Sequence, residues 1–147
     1  MKQTIYKGFH YTLNRLWPFG NVNHVITFDS SCWYGESNGW NKLIGLSSLF
    51  NHKESIRIAW RPDKFKGHFR LAFYEYHKGE RKVISLFNVR AGEEIHVIVN
   101  DMLILVNRTG IAYSAKGCFL RSNFYFGGQD TAPNKMQINI RKYERDN

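Results

Sequence analysis

Between Glu54 and Asn107 apolar and polar residues alternate almost without a break, and only tight turns separate the alternating runs. Glu54 to Arg61 sets Ile56, Ile58 and Trp60 on one side and Arg57, Ala59 and Arg61 on the other. A period of two is what a half-buried strand requires, because successive side chains leave a pleated backbone on opposite faces. His68 to Tyr76 repeats the pattern, with Phe69, Leu71 and Phe73 opposed to Arg70, Ala72, Tyr74 and Tyr76. The turn His77-Lys-Gly-Glu80 leads into Lys82 to Phe87, and Arg90-Ala-Gly92 leads into Glu94 to Val99. Asn100-Asp101 then reverses the chain into Met102 to Val106. The block is expected to be an antiparallel meander, with Ile56, Phe69, Phe73 and Ile95 on its core side.

The flanks extend the same design. Thr4 to Leu16 and Asn23 to Asp29 read as strands on either side of the turn Trp17-Pro-Phe-Gly20. Ser30 to Trp40 combines glycines, serines and an asparagine with Trp33, Tyr34 and Trp40, the composition of a long loop carrying large aromatics. Lys42 to Ser48 resumes strand character, and Phe50 to Lys53 turns into the central block. Beyond Val106 the pattern predicts strands over Ile111 to Ser114, Asn123 to Phe126 and Met136 to Tyr143, the last with Met136, Ile138 and Ile140 inward. Gly127 to Pro133 is a turn-rich loop, and Glu144 to Asn147 is a charged tail. Helical spacing is short wherever it occurs, around Leu46 to Phe50 and Thr12 to Trp17. About ten to twelve short strands in one domain, residues 1–147, imply an all-β fold, a two-sheet antiparallel β-sandwich or a closed barrel. Outward positions carrying Tyr, Arg and Ala rather than Lys and Glu favour a curved sandwich with one aromatic and basic face.

Composition agrees with the sheet reading, since aromatic residues make up 16% of the chain and favour strands. No run approaches the roughly 18 apolar residues of a membrane span. The start, Met1-Lys-Gln-Thr-Ile-Tyr-Lys-Gly, has no apolar h-region, so a cytoplasmic or virion location is expected. Cys32 and Cys118 have no zinc spacing and read as buried thiols, with a long-range disulfide as the alternative. The formal net charge of +9 is scattered singly along the chain, densest at Arg141 to Arg145. Such an excess in a basic protein suits a solvated surface or attraction to an acidic surface or polymer. Nucleic acid is disfavoured, because neither a recognition helix nor a basic stripe interleaved with aromatics is legible.

The run Phe124-Tyr-Phe-Gly-Gly-Gln-Asp-Thr-Ala-Pro-Asn-Lys-Met-Gln-Ile-Asn-Ile140 resembles the closing strand, loop and final strand of small concanavalin-like (laminin-G-like) β-sandwich proteins of bacteria and their phages. Ser55 to Trp60 and the hairpin from Glu94 to Asn107 fit the same scaffold. The resemblance implies a concanavalin-like jelly roll and leaves function open, because that fold hosts lectins, carbohydrate-binding modules, glycosidases, lyases and virion parts.

Catalytic chemistry finds little support. Glycosidases need two carboxylates flanking one bond, and the Glu-x-Asp-x-x-Glu strand that supplies them in this fold does not occur. Glu93 and Glu94 are adjacent, so a strand would point them to opposite faces. Ser55-Ile-Arg57, Glu94-Ile-His96 and Tyr125-Phe-Gly-Gly-Gln-Asp-Thr131 resemble, in order, three strands of alginate-lyase-like jelly rolls. Yet Glu94 replaces the expected Gln, and Thr131 stands where elimination needs a phenol. The six histidines lie on separate segments without ligand spacing. Asp29 and Asp130 are the nearest approach to calcium donors, and the chain lacks an Asp-rich loop. No catalytic set, metal or cofactor is expected.

Two residue sets could bind. The first is the loop set Trp33, Tyr34 and Trp40, whose rings could stack on sugars beside Asn38 and Glu36, or else fold back as a plug over the end of the sandwich. The second is an outward face of Arg57, Arg61, Tyr74, Tyr76, His96 and Gln137, suited to an acidic polymer because Arg offers paired donors to carboxylate or sulfate. Tyr and Arg are equally enriched where subunits meet. The expectation is a non-catalytic, lectin-like module for a glycan, acidic polymer or acidic surface. The alternatives are a virion or assembly protein using the same face for partner subunits or a homo-oligomer, and a divergent polysaccharide lyase.

Overall fold

The structure is a computed structural model that describes residues 1–9, 15–16, 22–50, 52–100, 102–112, 118, 120–122, 124, 126 and 131–143. Its strands are β1 (Lys2–Ile5), β2 (Arg15–Leu16), β3 (Val22–Phe28), β4 (Asn41–Ser47), β5 (Ser55–Pro62) and β6 (His68–His77). They continue as β7 (Glu80–Arg90), β8 (Glu94–Val99), β9 (Leu103–Val106), β10 (Thr109–Ala112), β11 (Leu120–Ser122) and β12 (Met136–Lys142). The back sheet has the order β1-β12-β3-β8-β9-β10, and the front sheet has the order β2-β11-β4-β5-β6-β7. Paired strands run antiparallel, and the two sheets pack face to face as a β-sandwich.

The alternation of the sequence decides which face is buried. Ile56, Ile58 and Trp60 of β5 and Phe69, Leu71 and Phe73 of β6 meet Ile26 and Phe28 of β3, Ile95, Val97 and Val99 of β8, and Met136, Ile138 and Ile140 of β12 in one core. Phe28 joins the two sheets, its ring stacked 4.7 Å from Phe69 and 5.2 Å from Trp60. Fully burying each such side chain is worth about 1.5–3 kcal/mol, so this shared layer is the main source of cohesion. A polar pair crosses it at one end, where Arg121 Nη2 of β11 lies 3.4 Å from His24 Nε2. Burial and the cations Arg121 and Lys142 push His24 down to about 4, so its ring is neutral at physiological pH.

The central block differs from a continuous meander. Strands β5, β6 and β7 form two hairpins in the front sheet, but β8 and β9 belong to the back sheet. The crossing is made over Ala91, whose amide donates to Gly67 O at 2.8 Å, and Gly92, whose amide donates to Phe28 O at 2.9 Å. Successive amides thus bond to a front-sheet turn and to the end of a back-sheet strand. Gly92 has φ 83°, a left-handed value that suits glycine. A hairpin and a crossover both begin with such a turn, which is why alternation alone could not tell them apart.

Smaller differences lie at the ends. Strand β1 stops at Ile5, and β11 covers Leu120–Ser122; Phe124 and Phe126 belong to no strand, and Asn123 and Tyr125 lie outside the described residues. Leu46 belongs to β4, with bends rather than a helix at Leu49 and Phe50. Arg15–Leu16 is a strand, and the rest of Thr12 to Trp17 lies outside the described residues, as do the turn to Gly20, Ser114, Asp130 and the tail. Cys32 and Cys118 are both buried and free. Among the described residues no helix is long and apolar enough to cross a membrane.

Candidate functional site

The outward positions of the front sheet form a second, smaller cluster. Ala59, Ala72 and Tyr74 are buried there, with Trp40, Tyr76 and Val83 packed against them. In register, Arg57 stands opposite Tyr74 and Tyr74 opposite Val83, while Ser55 stands opposite Tyr76 and Tyr76 opposite Arg81. Each sits directly across from the next because strand pairing aligns like faces.

A β-bulge brings Lys42 to this face. Lys42 pairs with Ala59 and Ile44 with Ile58, leaving Leu43 as the extra residue. Leu43 and Ile44 both enter the core, so the bulge lets Lys42 point outward beside Ala59. Lys42 is only 4% exposed; its Nζ donates to Trp40 O at 2.8 Å and lies 3.8 Å from the Tyr74 ring centre. Burial, reinforced by repulsion from Arg57 and Arg81, pushes this amine down to about 7.

Gly45 makes room for Arg57. A Cβ built on Gly45 would fall 2.2 Å from Ile56 O and 2.7 Å from Arg57 Cγ, so any side chain there would collide with β5. Arg57 is 3% exposed, and its guanidinium carbon is 5.7 Å from the Tyr74 ring centre. Its Nη2 donates to Ser55 Oγ over a long 3.4 Å, and its Nε has no hydrogen-bond partner. Arg81, exposed on the edge strand β7, stands opposite Tyr76 and diagonal to Tyr74, whose side chain raises it above the usual arginine value. The Tyr74 and Tyr76 rings meet edge to face at 5.8 Å. Burial, followed by its hydrogen bond to Tyr74, pushes Tyr76 above the usual phenol range, so neither the geometry nor the ionisation favours a catalytic phenolate.

The two residue sets expected from the sequence are therefore regrouped. Trp40 leaves the loop set and joins the front face, where the Arg61 guanidinium lies 4.4 Å over its ring and donates to Asn38 O at 3.3 Å. Trp33 and Tyr34 pack instead against the core, following the plug alternative. Trp33 Nε1 donates to Asp63 O at 3.0 Å, and Tyr34 lies 5.3 Å from Phe126 and accepts from Asn41 Nδ2 at 3.0 Å. His96 and Gln137 belong to the other side of the molecule. They alternate with the core residues Ile95, Val97, Met136 and Ile138, and so face outward from the back sheet. There His96 packs 5.1 Å from Tyr143, and Gln137 Nε2 donates to Thr4 Oγ1 at 3.5 Å.

The same separation removes the lyase arrangement, since Arg57 and His96 stand on the outer faces of different sheets and cannot address one bond. Glu93 and Glu94 act locally, Glu93 accepting from the Arg90 amide and Glu94 pairing with Arg141 at 2.9 Å. A pocket lined by Glu54, Glu75, Tyr76, His77 and Cys118, among others, also gathers reactive types. Glu54 is engaged there by His77 at 3.1 Å, and burial raises the Cys118 thiol, which disfavours a nucleophilic thiolate. Asp29 accepts from the Ser31 amide and caps the short 3-10 turn Ser30–Cys32. Among the described residues no three His, Cys, Asp or Glu side chains are grouped to hold a metal.

Lys42, Gly45 and Arg81 were not singled out by the sequence. A glycine inside an alternating run is a signal of close backbone approach and could have marked Gly45. The bulge that aims Lys42 has no comparable signature. No family model matches the chain, nor does any curated protein or solved structure.

Proposed function

We propose that this chain is a non-catalytic carbohydrate-binding module whose ligand lies on the outer face of the front sheet. The observation that carries the reading is the convergence of Trp40, at the start of β4, with Tyr74, Tyr76, Arg57 and Arg61 of β5 and β6 on one face. Flat rings offer apolar area to the CH faces of a sugar, and the guanidinium and hydroxyl groups supply directional hydrogen bonds around them. Affinity electrophoresis against neutral and acidic polysaccharides tests it. Retardation by at least one polymer, weakened about tenfold by Trp40→Ala, is expected; a mobility unaffected by every polymer overturns it.

The assembly reading has an observation of its own at the Tyr76 end of the face. His52 packs edge-on against Tyr76 at 5.2 Å, and Leu49 and Phe50 in the same turn are 69% and 66% exposed. Light scattering separates the two: a dimer disrupted by Phe50→Ser together with unaltered sugar binding assigns that end to subunit contact, and a monomer at all concentrations removes it.

A further inference from the structure

We propose that Arg57, Lys42, Arg81 and the Tyr74 hydroxyl form a subsite for one oxyanion, a carboxylate or sulfate carried by a sugar. This rests on the reading of the front face as a carbohydrate surface, and it names acidic sugars as the ligand class.

The argument begins with a charge imbalance. Arg57 is buried, carries a guanidinium that cannot deprotonate at physiological pH, and makes no ion pair among the described residues. Burying an uncompensated cation is among the most expensive things a fold can do. Here the cost is compounded, because Lys42 and Arg81 lie close enough for both arginines to oppose the lysine ammonium.

No carboxylate of the neighbouring strands answers this charge. The outward positions around Arg57 are Gly45 on β4, Ser55 and Ala59 on β5, Tyr74 on β6 and Val83 on β7. Glu75 and Glu80 alternate to the opposite side of their strands from Tyr74 and Arg81. Glu54 is held by His77 and the Lys78 amide. Among the described residues Arg81 likewise has no ion pair.

The donors suit an oxyanion better than a neutral hydroxyl. Arg57 Nε is a buried donor without an acceptor, on a side chain whose planar fork matches two oxygens of one anion. Arg81 is exposed on the edge strand, opposite Tyr76 and diagonal to Tyr74, so it can turn onto an arriving anion without unfolding the sheet. Gly45 fits the same picture. Its missing side chain is the space through which Arg57 crosses β4, giving the guanidinium a fixed seat. The stacked pair Trp40 and Arg61 sits beside this group on the same face, where the rest of the sugar would lie.

Isothermal titration with glucose, glucuronate and glucose 6-sulfate tests the subsite in the full chain, alongside thermal shifts with inorganic sulfate and acetate. At least one acidic sugar should bind ten times or more tighter than glucose, and the two acids together tell carboxylate from sulfate. Arg57→Gln should abolish that preference. Arg81→Gln should reduce it roughly tenfold, as expected for one charge-assisted hydrogen bond. Arg81 is exposed, so its substitution carries the test even if Arg57→Gln does not fold. Equal affinity for glucose and both acids, or a preference untouched by Arg81→Gln, overturns the subsite. If that occurs while Trp40→Ala still weakens every sugar, the carbohydrate reading stands alone. If no sugar binds but inorganic sulfate or acetate gives an Arg81-dependent thermal shift, the oxyanion site stands and the carbohydrate reading falls. Absence of any response removes both.

Discussion

On the back sheet one outward charge answers another. Arg141 of β12 donates to Glu94 of β8 at 2.9 Å, His96 packs on Tyr143, and Gln137 reaches Thr4. On the front sheet the outward row is positive on three strands, with Lys42, Arg57 and Arg81 gathered around Tyr74. Both faces arise from the same period-two alternation and cover the same core. They differ in how deeply the charge is set. Both partners of the Glu94–Arg141 pair are more than half exposed, whereas Lys42 and Arg57 are 4% and 3% exposed. Water screens the first arrangement and cannot screen the second, so the second shapes the ionisation and stability of its surroundings.

The largest contrast between the faces should come from two glycines. At Gly45 the added methyl of Gly45→Ala meets backbone, Ile56 O at 2.2 Å and Arg57 Cα at 2.6 Å, and neither can rotate away. The strands must separate, at a cost of about 1–3 kcal/mol. At Gly110 in the back sheet the closest atom is Leu105 Cδ2 at 2.4 Å, the end of a flexible side chain. Gly110→Ala should therefore cost about 1 kcal/mol or less. Urea unfolding of the two variants checks this ordering. Equal losses would mean that Arg57 is not seated by the gap at Gly45.

Lys42 gives the next effect, and its sign follows from its surroundings. Its amine titrates near 7 in the folded chain against an ordinary value of 10.5, so between these values the unfolded chain holds the extra proton. Stability of the native protein should rise with pH across that window. Lys42→Met removes the titrating group, so its stability relative to the native chain should be most favourable below pH 7 and decline steadily toward pH 10.5. Urea midpoints at pH 6, 8 and 10 read the trend, and a difference that does not vary with pH contradicts it. An oxyanion at Arg57 should oppose the effect by holding the ammonium charged, so a saturating acidic sugar should flatten the curve of the native chain.

Much of this architecture was legible in the chain. Ile56, Phe69, Phe73 and Ile95 were core-facing by alternation and are buried, because one slip of register would turn every one of them to solvent. Arg57, Arg61, Tyr74 and Tyr76 were expected to share a face and do so, since adjacent antiparallel strands align them. Alternation groups His96 and Gln137 with them because outward looks the same on either sheet, and the amides that carry the chain from β7 to β8 leave no mark in the residue pattern. Composition places Trp40 in a loop with Trp33, although the ring that stacks on Arg61 borders β4 directly. Lys42 required the bulge, which depends on how β4 meets β5 rather than on either strand alone.

The smallest effect belongs to the back face and serves as its control. Arg141 holds the Glu94 carboxyl below the usual carboxylate range, and the pair lies in open solvent on the two strands that flank β3. A depressed carboxylate lends stability above its unfolded value and loses it as pH falls through its folded value. For an exposed pair most of that contribution is cancelled by hydration and by the freedom two long side chains give up. Glu94→Gln should thus leave the urea midpoint at pH 7 within the scatter of repeated measurements, and adding 1 M sodium chloride should change the native protein and the variant alike. The front face should behave otherwise under the same titration, because its cations are shielded from mobile counterions until one enters beside Arg57. A midpoint shift on Glu94→Gln as large as that on Lys42→Met would show that depth of burial is not what distinguishes the two faces.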